Sequence, residues 1–380
     1  MSQTGSNAQA STRITRLRLG DFRNYETLTL GFDSPFVVFF GNNGVGKTNL
    51  LEALSLMSPG RGLRRATYGE MARQAGSGGF LVRSEVVSSD AATTVESRLS
   101  PDGSGRALKI DETAVKTADE LLDILRVLWL TPAMDGLFTG PAGDRRRFLD
   151  RMVLAVDPAH GRRASDYERA MRSRNRLLSE DRMDDSWLSG LETQMAELGV
   201  AMAIARADLV RMLSDKIAAA AAASPFPVAR LSLASGFEAV DFSMAAVEIE
   251  EEARLALRRS RPLDRAAGRT REGVHRADLS VYYAEKDMPA ALASTGEQKA
   301  LLIGLVLAHA QLVAAVSGFR PVMLLDEVAA HLDPGRRAAL FELIGSLDVQ
   351  AFMTGTDAHL FEAIADRANM IPVGGDQEGR

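Results

Sequence analysis

A chain of 380 residues, 46% apolar and 25% charged, can bury a large core and is long enough for more than one lobe, which excludes disorder of the whole. It has no cysteine, so a disulfide framework and a thiolate metal site are both excluded. The formal net charge of -5 argues against indiscriminate binding of polyanions, and any nucleic-acid contact must be a local basic patch.

The opening "MSQTGSNAQAST" is polar and lacks the apolar stretch of a signal peptide, so residues 1–12 are expected to be a disordered tail. No uninterrupted apolar run reads as long enough to span a bilayer, and a cytoplasmic protein is expected. "RITRLRL" and "ETLTLGF" alternate as half-exposed strands do, whereas "PFVVFF" is continuous, as a buried strand is. Directly after it, "GNNGVGKTNL" satisfies G-x-x-x-x-G-K-[ST] through Gly41, Gly46, Lys47 and Thr48. A loop of Gly41, Asn42, Asn43, Gly44, Val45 and Gly46 can turn its backbone N–H groups inward, and the helix after it aims its positive dipole end at the same point. Lys47 would then reach the β- and γ-phosphates of ATP and the Thr48 hydroxyl would serve Mg²⁺.

Residues 60–110, rich in Gly and Ser with strand-like pieces such as "FLVRSEV", complete a small β region. From about residue 112 the pattern turns helical, through "TADELLDIL", "AGDRRRFLDRMVLAV" and "ASDYERAMRSRNRLLSE". In the next helix Leu188, Leu191, Met195, Leu198, Met202, Ala205, Leu209 and Met212 alternate spacings of three and four, a coiled-coil-like seam. Its simplest partner is the preceding helix, through Tyr167, Met171 and Leu178. Strands and one further helix, with the basic stretch "RRSRPLDRAAGRTREGVHR", lead to Pro289, after which helices and strands alternate again. The expected fold is therefore α/β, a P-loop ATPase head split in sequence into 13–110 and 285–380 by an inserted, mainly helical lobe, 111–284.

Two elements of the last part complete a nucleotide site. "PVMLLDE" is an apolar strand ending in Asp326, placed to support Mg²⁺, and Glu327, placed to orient and deprotonate the attacking water. "STGEQK" opens an amphipathic helix one helix and a turn before that strand. Basic residues cluster as Arg145, Arg146 and Arg147, as Arg172, Arg174 and Arg176, and between Arg258 and Arg276. Such clusters suit DNA phosphates, and no segment looks like a base-reading helix, so recognition of backbone or DNA structure is expected.

The combination of "GNNGVGKTN", "STGEQK" and "LLDEVAAHLD" resembles the ATP-binding cassette group that includes the SMC and Rad50 proteins. "LRLGDFRNYETLTL", "WLTPAMDGLFTGPAGDRRRFLDR", "YERAMRSRNRLL", "VHRADL" and "MTGTD" are similar to the RecF family in particular, over residues 13 to 373. That resemblance implies an ATP-dependent DNA-binding protein that dimerises around two nucleotides, working with RecO and RecR to help load RecA at gapped DNA. It also implies that Ser294 and Gly296 cap the γ-phosphate held by the opposite subunit, that Asp333 lies across the dimer interface, and that Arg23 and Asn24 lie beside the nucleotide. Gln74 is the candidate for a loop glutamine that senses Mg²⁺. One position departs from the cassette pattern: Thr356 stands where a histidine is usual, with His359 as a possible substitute, and slow hydrolysis is expected. Two other classes remain to be weighed. A transporter cassette would keep P-loop and signature in one compact domain, and a Rad50-like tether would need far longer heptad arms than the stretch from Leu188 to Met212.

Overall fold

The computed structural model describes residues 12–374 apart from 89–90, 104, 181–183, 238–239 and 241, so the expected tail lies outside the described residues except for Thr12. The described chain forms two compact units, the first built from both ends of the sequence with Ala223–Phe226, the second from Gly136–Ala222 and Pro227–Ser294.

In the first unit β1 (Thr12–Phe22) and β2 (Tyr25–Gly31) form a hairpin, and β3 (Phe36–Phe40) runs into the glycine loop and α1 (Lys47–Ser55). After the one-turn α2 (Tyr68–Met71), β4 (Phe80–Ser88), β5 (Ala91–Leu99), β6 (Arg106–Ile110) and β7 (Thr113–Ala114) extend the hairpin into an antiparallel sheet of order β2-β1-β4-β5-β6-β7. β8 (Val127–Leu130), four buried residues, then joins a different sheet. This strand moves a boundary. The insertion begins at Gly136 rather than at 111, because "VLWL" pairs in parallel with the strand that precedes Asp326. The segment read as a helix before it is only a 3₁₀ turn, Ala118–Asp123.

The second unit holds α3 (Ala142–Val156), α4 (His160–Ser179), α5 (Asp185–Ala220), β9 (Ala229–Ala234), α6 (Ala246–Ala267), β10 (Asp278–Tyr283) and β11 (Met288–Pro289). It ends at Ser294 rather than 284, since β11 is the edge of a small antiparallel sheet with β10 and β9. Of the seam, Leu188, Met195, Met202 and Leu209 are buried, while Leu191, Leu198, Ala205 and Met212 are half-buried. The buried face of α5 is wider than a coiled-coil stripe because α6 packs on it as well as α4: Tyr167, Met195, Val200, Ile249, Ala253 and Leu257 share one cluster.

That wider face also buries charge. Arg174 on α4 is fully buried and donates to Glu192 Oε1 at 3.1 Å, Asp264 Oδ2 at 2.7 Å, Thr270 Oγ1 at 3.0 Å and the Leu257 carbonyl at 2.7 Å. It cannot reach DNA phosphates, which removes it from the expected basic cluster; burial of a guanidinium requires such pairing. Arg145 is likewise committed, to both oxygens of Asp278 at 2.8 Å, and Arg146 donates to the Ala277 carbonyl at 2.8 Å. Arg147, Arg172 and Arg176 remain exposed, the first two beside Asp144 and Glu168.

The chain returns to the first unit with α7 (Thr295–Ser317), β12 (Val322–Leu325), α8 (Pro334–Ser346), β13 (Ala351–Gly355) and β14 (Ala368–Pro372). Contrary to the expectation from sequence, α7 is long and apolar enough to cross a bilayer, with a mean hydropathy of 2.1 over its most apolar stretch. Within that stretch 67% is buried inside the protein, as in the core helix of a folded domain. The parallel sheet has the order β14-β3-β13-β12-β8, and Val37, Phe39, Leu54, Trp129, Leu324 and Phe352 lie in one core cluster with α1 and the antiparallel sheet.

Candidate nucleotide site

Open α/β sheets bind ligands outside the carboxyl ends of their strands. Here β3, β13 and β12 are adjacent and parallel, and their ends deliver Gly41, Thr354 and Asp326 to one place. The loop after β3 needs glycine at two positions. Gly41 has φ +147, and a Cβ there would meet the Val373 carbonyl oxygen at 2.2 Å; Gly46 has φ +109, and a Cβ would strike the Asn24 amide and the Tyr25 hydroxyl.

The loop is held from outside by the start of β2. Asn24 Nδ2 donates to the Val45 carbonyl at 3.1 Å and accepts at Oδ1 from Asn49 Nδ2 at 2.7 Å, and Tyr25 OH donates to the Gly46 carbonyl at 3.2 Å. Burial pushes the Tyr25 phenol up to about 12, so it stays a donor at neutral pH. Tyr25 was missed in the sequence, where only the alternation of its strand was visible. Of the expected pair Arg23 and Asn24, only Asn24 touches the loop. Arg23 has φ +55, and its guanidinium binds both oxygens of the buried Glu52 on α1, at 2.7 and 2.6 Å, and the Glu70 carbonyl at 2.7 Å. Three of its N–H donors go to protein groups, so Arg23 braces α1. Arg64 shares Glu52 at 3.0 Å and also donates to Asn49 Oδ1 at 2.5 Å.

On the inner side Lys47 is buried, and its ammonium donates to the carbonyls of Gly41 at 2.7 Å and Asn42 at 2.8 Å. Thr48 Oγ1 donates to Asp326 Oδ1 at 3.0 Å. Thr354 Oγ1 donates to the same oxygen at 2.8 Å and accepts the Glu327 N–H at 2.9 Å. Thr354 thus fixes both acids, and Glu327 needs fixing because it sits in the left-handed region at φ +52. Burial is the largest influence on Asp326 and holds its carboxyl above the usual range, aided by the charge of Glu327, although the hydroxyls of Thr354 and Thr48 and the charge of Arg64 act the other way.

These residues fit a nucleoside triphosphate with a divalent ion. A glycine loop at a helix start and a buried ammonium at its mouth suit the phosphates, and a carboxylate with a hydroxyl hydrogen-bonded to it offers hard oxygens suited to Mg²⁺. The other expected residues lie on exposed ground. Ser294 and Gly296 are exposed at the start of α7, and Asp333 caps α8 by accepting the Arg336 N–H at 2.9 Å. Gln74 is exposed in a turn, Thr356 is exposed beyond β13, and His359 is exposed with its N–H donating to Asp357. The residue of "MTGTD" that reaches the two acids is Thr354, two positions before Thr356.

Residues 13–375 match the family described as the RecF/RecN/SMC N-terminal domain. The chain is 56% identical over 362 residues to the DNA replication and repair protein RecF of Rhizobium etli (strain CIAT 652), covering 95% of this chain and 96% of that one. It is 54% identical over 366 residues to the RecF protein of Mesorhizobium japonicum, covering 96% and 97%. Among solved structures it resembles the recombination mediator protein RecF bound to ATP in the RecFOR pathway, with a TM-score of 0.82, 23% identity and coverage of 96% and 99%. An SMC head domain with an extended coiled coil, from Pyrococcus furiosus, matches with a TM-score of 0.52 and 16% identity over 93% of this chain. The split α/β head with its helical insertion is thus the fold of that group, and by the extent and identity of these matches the chain belongs to the RecF family.

Proposed function

We propose that the protein is an ATP-dependent DNA-binding recombination mediator that hydrolyses ATP slowly. The observation that carries this reading is the shared oxygen of Asp326: Thr48 from the P-loop and Thr354 from the central strand both donate to it, with Glu327 held alongside. Lys47 and the loop N–H groups bind and orient the phosphates, Thr48 and Asp326 hold Mg²⁺, and Glu327 accepts the proton of the attacking water. Mg²⁺, when bound, neutralises charge that builds up on the phosphate oxygens.

ATP closes a homodimer in which Ser294 and Gly296 of each subunit complete the site of the other, with Asp333 at the interface. The exposure of all three supports this role. The dimer binds gapped or junction DNA in the cytoplasm through phosphate contacts, Arg172 and Arg176 with Arg147 among them, and acts with RecO and RecR to help RecA load. Hydrolysis, stimulated by DNA, acts as the timer that releases the clamp. Sedimentation of the Glu327→Gln variant with ATP and gapped duplex tests the reading. ATP should bind without turnover and the dimer should persist on DNA; normal turnover in this variant would refute the assignment of the base.

A further inference from the structure

The second unit contains a cavity of about 630 Å³ whose lining includes Arg269, Arg271 and Arg276. The arginines are presented by a rigid loop. Gly268 ends α6 in the left-handed conformation at φ +65, and the Arg269 N–H donates back to the Asp264 carbonyl at 3.1 Å, a Schellman-type stop. Thr270 between the arginines points inward, its hydroxyl and N–H both donating to Asn175 Oδ1, so Arg269 and Arg271 on either side point outward and are exposed. Asp264 Oδ1 accepts the Arg271 N–H at 3.0 Å, and the Gly273 N–H donates to the carbonyl of Gly236, another lining residue, at 2.9 Å.

The charge of the lining is lopsided. Two carboxylates, Asp264 and Glu272, accompany the three guanidinium groups, but Asp264 is buried and its Oδ2 is taken by Arg174 and Ser260, both at 2.7 Å. Among the described residues no carboxylate pairs with the side chains of Arg269, Arg271 or Arg276, whereas Arg169, Arg172, Arg211 and Arg254 in the same unit each face an acid on their own helix. Guanidinium groups that form no ion pair among the described residues and border a concavity suit a phosphate, whose oxygens take their forked donors.

We propose that this cavity is a phosphate-binding site that seats a backbone phosphate of DNA. The inference takes its ligand from the DNA-binding reading above, and ATP-driven dimerisation, assigned above to Ser294, Gly296 and Asp333 outside this lining, is measured in parallel to test that reading separately. The experiment uses the full chain, a labelled gapped duplex and a salt titration, with the triple variants Arg269→Ser/Arg271→Ser/Arg276→Ser and Arg269→Lys/Arg271→Lys/Arg276→Lys. The serine variant should lower the slope of log affinity against log salt by about 0.9, the share of the one phosphate no longer neutralised, with ATP-induced dimerisation unchanged. The lysine variant keeps the charge and should keep most of the slope. A second arm titrates the wild type and serine variant with inorganic phosphate and dAMP by ligand-observed NMR. Binding of these that is lost in the serine variant, with an unaltered DNA slope, would uphold the phosphate chemistry but assign it to a free nucleotide. An unaltered slope with no loss of phosphate or dAMP binding would overturn the proposal, and so would equal loss in the lysine and serine variants.

Discussion

Replacing Thr354 by Val keeps the shape of a buried side chain and deletes its hydroxyl, which tests the site at its most constrained point. Two interactions go: the 2.8 Å donation to Asp326 and the 2.9 Å bond that accepts the Glu327 N–H. A hydrogen bond to a charged group contributes about 1.5–3 kcal/mol, and a buried N–H left without a partner costs about 1–3 kcal/mol. Thr48 still donates to the same oxygen of Asp326, so part of the first contribution survives. Glu327, at φ +52, loses the hydrogen bond that over-determines its backbone and should relax away from the position of a base. Single-turnover hydrolysis is therefore expected to fall about ten- to a hundredfold, equivalent to about 1.4–3 kcal/mol in the barrier. ATP affinity should change far less, since Lys47 and the loop are untouched. Because the Thr354 hydroxyl lowers the Asp326 pKa, its loss should raise that pKa further and move the acid limb of Mg·ATP binding to higher pH. Thr354→Ser restores the hydroxyl and should recover most of the rate. Wild-type turnover and pH profile in the valine variant would refute this account, and so would a serine variant as slow as valine, since serine restores the hydroxyl that valine lacks.

Other perturbations separate the parts of the site. Lys47→Ala should abolish tight ATP binding in equilibrium dialysis, because the ammonium now resting on the Gly41 and Asn42 carbonyls is the charge meant for the phosphates. Ser294→Arg should leave ATP binding by the monomer within about twofold but block ATP-induced dimerisation on gel filtration, through bulk and charge at the exposed start of α7. In the unaltered protein, Asp326 is held above the usual carboxylate range, so Mg·ATP binding should weaken as pH falls through that raised value, earlier than for an ordinary aspartate. Arg174→Ala leaves buried Asp264 without its cation while Glu192 keeps Arg261, and the loss of about 3–5 kcal/mol should speed amide exchange in α4, α5 and α6 by about 10² to 10⁴-fold, against no measurable change for exposed Arg172→Ala.

What the sequence disclosed about the site follows from how local each device is. A P-loop is one strand, one loop and one helix start in a row, so Gly41, Gly46, Lys47 and Thr48 identify themselves by spacing, and Asp326 and Glu327 stand out because two acids after an apolar strand are costly without a task. Thr354 and Tyr25 escaped notice for the opposite reason. Each acts through partners set by strand order: β13 lies between β3 and β12 only once the parallel sheet is formed, and the start of β2 meets Gly46 only once the hairpin packs beside the loop. A threonine in a strand and a tyrosine after a turn carry no periodic or motif signal of such a role.

Charge was the least legible feature, and the arginines show why. Arg172, Arg174 and Arg176 read as one basic cluster, yet a helix turns about 100° per residue, so alternate positions cannot share a face, and Arg174 points inward where its neighbours point out. Its burial was foretold by nothing on its own helix, because the acids that receive it, Glu192 and Asp264, come from α5 and α6. One of these acids, Asp264, also lines the cavity. By consuming Asp264, Arg174 removes the carboxylate that would otherwise neutralise the loop of Arg269 and Arg271, so a buried cation helps leave exposed cations unpaired. Arg174→Met, which removes the buried cation while filling its space, should therefore weaken DNA binding through freed Asp264, although Arg174 itself is buried. Unaltered affinity and salt slope in a folded Arg174→Met variant would separate the buried network from the cavity and leave it a purely structural device.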